Sequence, residues 1–207
     1  RLVYPVANPR FNFDFCKGYY PRVSNNKVRG RVARLLVTPI LRALEKTIGF
    51  KEYISFIDSF RYPLAGEFSF RRRVLKDIRI PFDWGLEIGV LSEMYRNYAG
   101  NRLCQVDIAD NYDHKHQEIS LEDLSKGLSK MSIDIIKAII RKLASQGETF
   151  SMSIFRSLKA TYYREALDLI EWIGLKSKAD TLAGALPYTD ERRVGIARAL
   201  YNNPEIL

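Results

Sequence analysis

An α/β chain with a mainly helical C-terminal region is the fold class these 207 residues predict, and three observations predict it. Residues 11–20, FNFDFCKGYY, alternate aromatic character as a strand does. Residues 103–108 form a second short apolar run of strand length. Leu124, Leu128, Met131, Ile135, Ile139 and Leu143 then recur at helical spacing, and Ile154, Leu158, Leu169 and Ile173 repeat the pattern.

The elements follow in order. After the first strand comes a basic, flexible stretch from Ser24 to Arg31, and helical spacing begins with Val32, Leu35 and Leu36. Thr38-Pro39 suits a helix start, threonine as cap and proline at the first helical position, so the helix kinks or restarts there. Leu41, Leu44 and Ile48 carry it to Gly49. Tyr62 to Glu67 has turn chemistry, and Phe68 to Leu75 resumes with Arg71, Arg72 and Arg73. Gly85 to Leu91 opens a helix through Met94. Ser120 and Asp123 form a capping-box variant before the long helix, which Gly147 closes. A second long helix spans roughly residues 151–173, and a third starts near Thr189, with Asp190 and Glu191 in its first turn, and stops at Asn202-Asn203-Pro204.

Composition bounds the function. With 46% hydrophobic and 28% charged residues the chain is an ordinary globular one. No apolar run nears the roughly 20 residues a membrane span needs. Two cysteines, Cys16 and Cys104, make no disulfide framework, so a cytoplasmic location is expected. Lys plus Arg exceed Asp plus Glu by 33 to 24, which favours an anionic partner. The basic residues are dispersed and carry no nucleic-acid-binding motif, so no nucleic-acid partner is expected. The chain starts without methionine and stops at Pro204-Glu205-Ile206-Leu207, which reads like the opening of a buried strand, so a longer protein is expected.

Three constellations suggest chemistry. His114 and His116 sit two apart beside Asp113, so both imidazoles can reach one ion if the segment is extended; the alternative is a solvated loop around Lys115. Arg29, Arg31 and Arg34 surround Gly30, an arrangement that suits a phosphate as well as it suits a plain basic face. Glu87, within WGLEIGVL, is either a semi-buried functional acid or the polar position of an amphipathic helix. Neither a phosphate loop of the G-x-x-x-x-G-K-[ST] type, nor a G-x-G-x-x-G fingerprint, nor an Asp-x-Asp pair occurs.

Several segments, taken in order, resemble a known family. They are Phe13 to Tyr20, Gly30-Arg31-Val32 leading into a helix with Pro39, Arg61 to Glu67, Gly85 to Leu91, Asp113 to His116, and Ala160 to Leu167. Residues about 10–170 resemble the C-terminal half of glucosyl-3-phosphoglycerate synthases, retaining glycosyltransferases with the GT-A fold. The resemblance implies transfer of glucose from a nucleoside diphosphate sugar to 3-phosphoglycerate. Gly30 and Arg31 would hold the acceptor phosphate, with Ala33 standing where the family has a threonine. The loop Pro63 to Glu67, with Leu64, Ala65 and Gly66, would lie by the donor sugar, and Glu87 would be the catalytic residue, facing acceptor or sugar hydroxyls. His114, with His116 as fallback, would help hold a divalent metal, Mg2+ or Mn2+. The resemblance also implies a homodimer.

On that footing residues 1–117 are expected to be the acceptor-side part of a GT-A domain and 118–172 a helical region. Residues 173–207 are expected to be a helical tail that resembles the signature region of branched-chain amino-acid ABC transporter ATPases, with Thr189 in place of the signature glycine and Glu191 in place of glutamine. A different class of function, a non-catalytic helical module binding a protein or anionic surface through its basic face, is the rival expectation.

Overall fold

The structure, a computed structural model, describes residues 1–21, 23–24, 27–28, 32–109 and 126–172. In chain order these form α1 (Tyr4–Ala7), β1 (Phe15–Tyr19), β2 (Val23–Ser24), β3 (Lys27–Val28), a π-helical turn (Ala33–Val37) and α2 (Thr38–Ile48). There follow α3 (Glu52–Asp58), β4 (Phe68–Phe70), α4 (Val74–Asp77), α5 (Leu86–Asn97), β5 (Leu103–Asp107), α6 (Gly127–Ser145) and α7 (Met152–Trp172). The α/β class holds, with helices dominant and the sheet small.

Two compact units share the chain. One comprises 1–21 and 50–150; the other takes the described residues of 22–49 and of 151–207. Compactness therefore groups the chain differently from a division at 117 and 172. Of the two long helices, α6 packs on α5 in the first unit and α7 on α2 in the second.

In the first unit a three-stranded sheet runs β4-β1-β5. Strand β1 is antiparallel to β4, pairing Phe15 with Phe70, and parallel to β5, pairing Cys16 with Cys104. As the central strand, β1 is buried on both faces from Phe15 to Gly18, which is why its sequence does not alternate cleanly into polar positions. The strand starts later than residue 11, because Asn12 sits in the left-handed region at φ 56° and interrupts the extended run. Cys16 and Cys104 are both free thiols, and burial pushes Cys16 up to about 12.

Helix α6 presents Ile135, Ile139 and Leu143, all at 0% exposure, at the spacing read from sequence. Gly147, at φ 96°, ends it: its N–H donates to the Ala144 carbonyl, and the Glu148 N–H reaches back to Leu143 at 3.1 Å. These two bonds make a Schellman cap. Ser120, Asp123 and Leu124, and the helix expected from Thr189, lie outside the described residues. Helix α3 is not foreseen, since seven residues show too little periodicity to separate from a loop.

Helix α5 lies close against the loop before it. A Cβ at Gly89 would stand 2.3 Å from Pro81 Cγ and 3.0 Å from its Cδ. The proline ring can change only its pucker, so most of the relief has to come from the backbone. Gly89→Ala is expected to be net destabilising, overpacking of about 1–3 kcal/mol outweighing the roughly 1 kcal/mol alanine returns in helix propensity. Urea unfolding checks this, and a variant as stable as the parent would contradict it.

In the second unit the restart at Pro39 takes a specific form. Proline lacks the N–H that would bond the carbonyl four residues back, and its ring clashes with that carbonyl. The helix widens to a π turn over Ala33–Val37 just before it. The Leu35 carbonyl instead accepts the Tyr162 hydroxyl of α7 at 2.6 Å. Thr38 is not a cap: its Oγ1 donates backwards to the Ala33 carbonyl at 3.2 Å. Gly49, at φ 80°, follows the helix end as expected. Helix α7 starts as predicted, with Ser151 Oγ accepting the Ile154 N–H at 3.3 Å. Lys46 of α2 meets the buried Glu165 of α7 at 2.5 Å.

Candidate functional site

The site grows from β1. Alternation along a strand would send Lys17 to one face of the sheet, yet both faces are covered, so its side chain is 1% exposed. An ammonium buried this far needs partners. Lys17 Nζ donates to the Ala65 carbonyl and lies 5.4 Å from the centre of the Phe68 ring. Glu87 and Glu67 are the carboxylates whose charges act on it. Burial pulls the Lys17 ammonium down to about 8, against the upward pull of those two acids.

Residues 62–67 wrap around this ammonium. The Ala65 N–H closes a turn on the Tyr62 carbonyl at 3.1 Å, and the Gly18 N–H anchors the far end on the Glu67 carbonyl at 2.8 Å. Gly18 has no room for a side chain: a Cβ would meet Glu67 O and Ile108 Cδ1, both at 3.1 Å. The Tyr20 hydroxyl donates to Glu67 Oε2 at 2.7 Å, and the Tyr20 and Tyr62 rings meet edge to face. At the base of the loop the Arg61 N–H donates to Gln105 Oε1 of β5 at 2.9 Å.

Glu87 enters from the first turn of α5, where the helix dipole favours an acid. Burial nevertheless raises its carboxyl above the ordinary value; its own backbone N–H and Lys17 oppose the rise, and Glu67 adds to it. The loop passes beside its carboxylate: a Cβ on Gly66 would stand in ordinary contact, 3.7 Å from Glu87 Oε1. Leu64 and Ala65 are buried, while Gly66 is exposed. The result is an acid at the rim of a structured loop, with a buried cation behind both. Such a group of donors and acceptors suits hydroxyl-bearing ligands.

Of the residues expected from sequence, Leu64, Ala65, Gly66 and Glu87 come together here. Gly30, Arg31, His114 and His116 lie outside the described residues. Among the described residues no three histidine, cysteine or carboxylate side chains gather to hold a metal ion. Lys17 and Tyr20 join the site without being expected from sequence, whereas Glu67 belongs to the expected loop. The signal for Lys17 was available: a charged residue between Cys16 and Gly18 in an otherwise apolar strand has to be paired.

A mannosyl-3-phosphoglycerate synthase of solved structure from Rubrobacter xylanophilus matches with a TM-score of 0.53 at 25% identity, covering 73% of this chain and 44% of that one. The fold is that of part of a GT-A-type glycosyltransferase. More particularly, the chain is homologous to glucosyl-3-phosphoglycerate synthases. That of Persephonella marina is 46% identical over 188 residues, 91% of this chain and 45% of the relative. That of Methanococcoides burtonii is 39% identical over 191 residues, 91% and 46% respectively. The chain thus spans about half the length of the curated relatives it matches. No family model matches. The expected ABC likeness stands only in coarse form: a methionine import ATP-binding protein from Staphylococcus saprophyticus is 32% identical over 92 residues, 44% of this chain and 27% of that protein. The expected tail, 173–207, lies outside the described residues.

Proposed function

We propose that this chain supplies the acceptor-side part of a glucosyl-3-phosphoglycerate synthase, which moves glucose from a nucleoside diphosphate glucose to 3-phosphoglycerate with retained configuration. The observation that carries the reading is 46% identity across 91% of the chain. The grouping of Leu64, Ala65, Gly66 and Glu87 supports it, because a rim carboxylate beside exposed loop backbone suits sugar hydroxyls.

In the transfer, the alcohol oxygen of 3-phosphoglycerate forms a bond to the anomeric carbon. The bond from that carbon to the diphosphate oxygen breaks, and the hydroxyl proton is released alongside the nucleoside diphosphate. Glu87 accepts a hydrogen bond from an acceptor or sugar hydroxyl and so fixes its orientation. Leu64, Ala65 and Gly66 bound the donor sugar, and Gly30 and Arg31 take the acceptor phosphate, arginine by its forked donors. A divalent metal, Mg2+ or Mn2+, belongs to the same proposal with His114 as its ligand, and it would neutralise the departing diphosphate. No described residue cluster provides a site for it. The reading further carries a homodimer and a cytoplasmic setting. No helix among the described residues is long and apolar enough to cross a membrane.

Thermal unfolding with 3-phosphoglycerate, against inorganic phosphate at matched ionic strength, tests the proposal. A ligand at roughly 100 times its Kd adds about 2.7 kcal/mol to the folded state. For a chain of this size that is a rise of about 5–10 °C in midpoint. The rise is expected with phosphoglycerate, and Arg31→Ala is expected to abolish it. An equal rise with phosphate, equally weakened by salt, would favour the non-catalytic anion-binding module instead.

A further inference from the structure

Lys17 has a geometry that a merely structural residue would not need. A leucine or methionine would fill the same volume in a central strand without the cost of burying an ammonium. What the ammonium does is grip one peptide group, accepting nothing and donating to the Ala65 carbonyl. In a trans peptide the carbonyl and the following N–H point in opposite directions. With the Ala65 carbonyl turned inward to Lys17, the Gly66 N–H is turned away from it, on a residue that is exposed. Glu87 Oε1 is close to the same residue, 3.7 Å from where a Gly66 Cβ would stand.

We propose that Lys17 is a positioning residue: bonded to the Ala65 carbonyl and flanked by the Glu67 and Glu87 carboxylates, it turns the Ala65–Gly66 peptide so that the Gly66 N–H and the Glu87 carboxylate are presented together to one hydroxyl of the bound sugar. This rests on residues 64–66 being the donor-sugar loop. A donor and an acceptor held side by side match a sugar hydroxyl, which both gives and takes a hydrogen bond. Among the described residues, the groups that face Lys17 are the Ala65 carbonyl and Glu67 of the loop, Glu87 of α5 and the Phe68 ring of β4; its partner on β5 is the uncharged Gln105. Glu67 is further held by the Tyr20 hydroxyl.

The test needs no turnover. In the 207-residue chain labelled with 13C at the Ala carbonyl and the Glu side-chain carboxyl, the Ala65 resonance is expected to titrate with a midpoint of about 8, following Lys17. Losing the ammonium weakens the bond to that carbonyl. In Lys17→Met the Glu87 midpoint, assigned with Glu87→Gln, is expected to rise, because a neighbouring cation has gone. In Lys17→Arg it is expected to stay near the parent value. An Ala65 resonance that is flat from pH 7 to 9.5 would overturn the proposal, and so would a Glu87 midpoint unmoved in a folded Lys17→Met chain. The wild-type titration decides the matter even if the methionine variant fails to fold. Phosphoglycerate protection is scored separately, so the donor-loop reading can fail while the Lys17 coupling survives, or the reverse.

Stability gives an independent reading of the same group. Folded Lys17 loses its proton near pH 8, whereas the unfolded side chain keeps it to near its ordinary 10.5. Between those values the unfolded chain binds more protons, so this group makes stability rise with pH. Lys17→Met is expected to remove that rise.

Discussion

Asp14→Ala is expected to cost about 2–4 kcal/mol, toward the lower end of the range for breaking a buried ion pair. Asp14 is 2% exposed and immediately precedes β1. Its Oδ1 accepts from Arg73 at 2.6 and 3.0 Å, and its Oδ2 accepts from Arg102 at 2.8 Å. Arg71 stands 3.9 Å away and donates to the neighbouring Phe13 carbonyl. The backbone of the same residue closes both sheet edges: its N–H donates to the Arg102 carbonyl at 2.8 Å, and its carbonyl accepts from the Arg71 N–H at 2.9 Å. One carboxylate thus ties together the segments that start β5 and end β4. Removing it strands three guanidinium groups. Their side chains remain between 22% and 57% exposed, so water takes part of the load. Against a total stability of about 5–15 kcal/mol the loss is large. Urea unfolding measures it, and an unchanged midpoint at an unchanged slope would show that the arginines find other acceptors. Asp14→Asn, which keeps the shape and one acceptor oxygen, is expected to lose less.

Ile139→Ala is expected to cost about 2–5 kcal/mol, the usual range for truncating a fully buried aliphatic side chain. Ile139 is 0% exposed on α6, between Ile135 and Leu143 on the same stripe. The helix packs on α5, which carries Glu87 into the site. The cavity left behind therefore loosens the support of that acid as well as the core, and phosphoglycerate protection is expected to fall with the midpoint. Ile133→Ala on the same helix is the control. Ile133 is 37% exposed, and a change there is expected to stay within about 0.5 kcal/mol. Equal losses at the two positions would mean that α6 does not pack as the periodicity implies.

Much of this architecture was legible in the residues themselves. The stripe of Ile135, Ile139 and Leu143 announced a buried helix face, and Gly147 announced its end, because helix period and left-handed caps are local properties. Ser151 announced the start of α7 in the same way. Pro39 announced an interruption, although the form it took depended on a distant partner: the carbonyl it frees at Leu35 is claimed by Tyr162, 127 residues on. Thr38, a cap by its sequence position, does not cap the helix for a related reason. A preceding π turn offered its hydroxyl the Ala33 carbonyl instead.

For the site, Glu87 and the 64–66 loop were named from the sequence, the first as an acid among apolar neighbours, the second through resemblance. Their adjacency was not readable, since no periodicity links residue 66 to residue 87. The cation behind them was half readable: a lysine inside an apolar strand has to be paired, but its partner, the Ala65 carbonyl, lies 48 residues on.

By itself, then, the sequence determined the longer helices α2, α5, α6 and α7, the apolar stripes and the kinship to glucosyl-3-phosphoglycerate synthases. These are consequences of neighbours within a few turns, or of matched motifs. Only the tertiary structure decided that β1 lies between β4 and β5, that Asp14 gathers arginines from both sides, and that Lys17 holds the Ala65 carbonyl beside Glu87. Such contacts join residues from 20 to almost 90 positions apart, and chain closure over those distances is settled by which faces bury together, not by local preference.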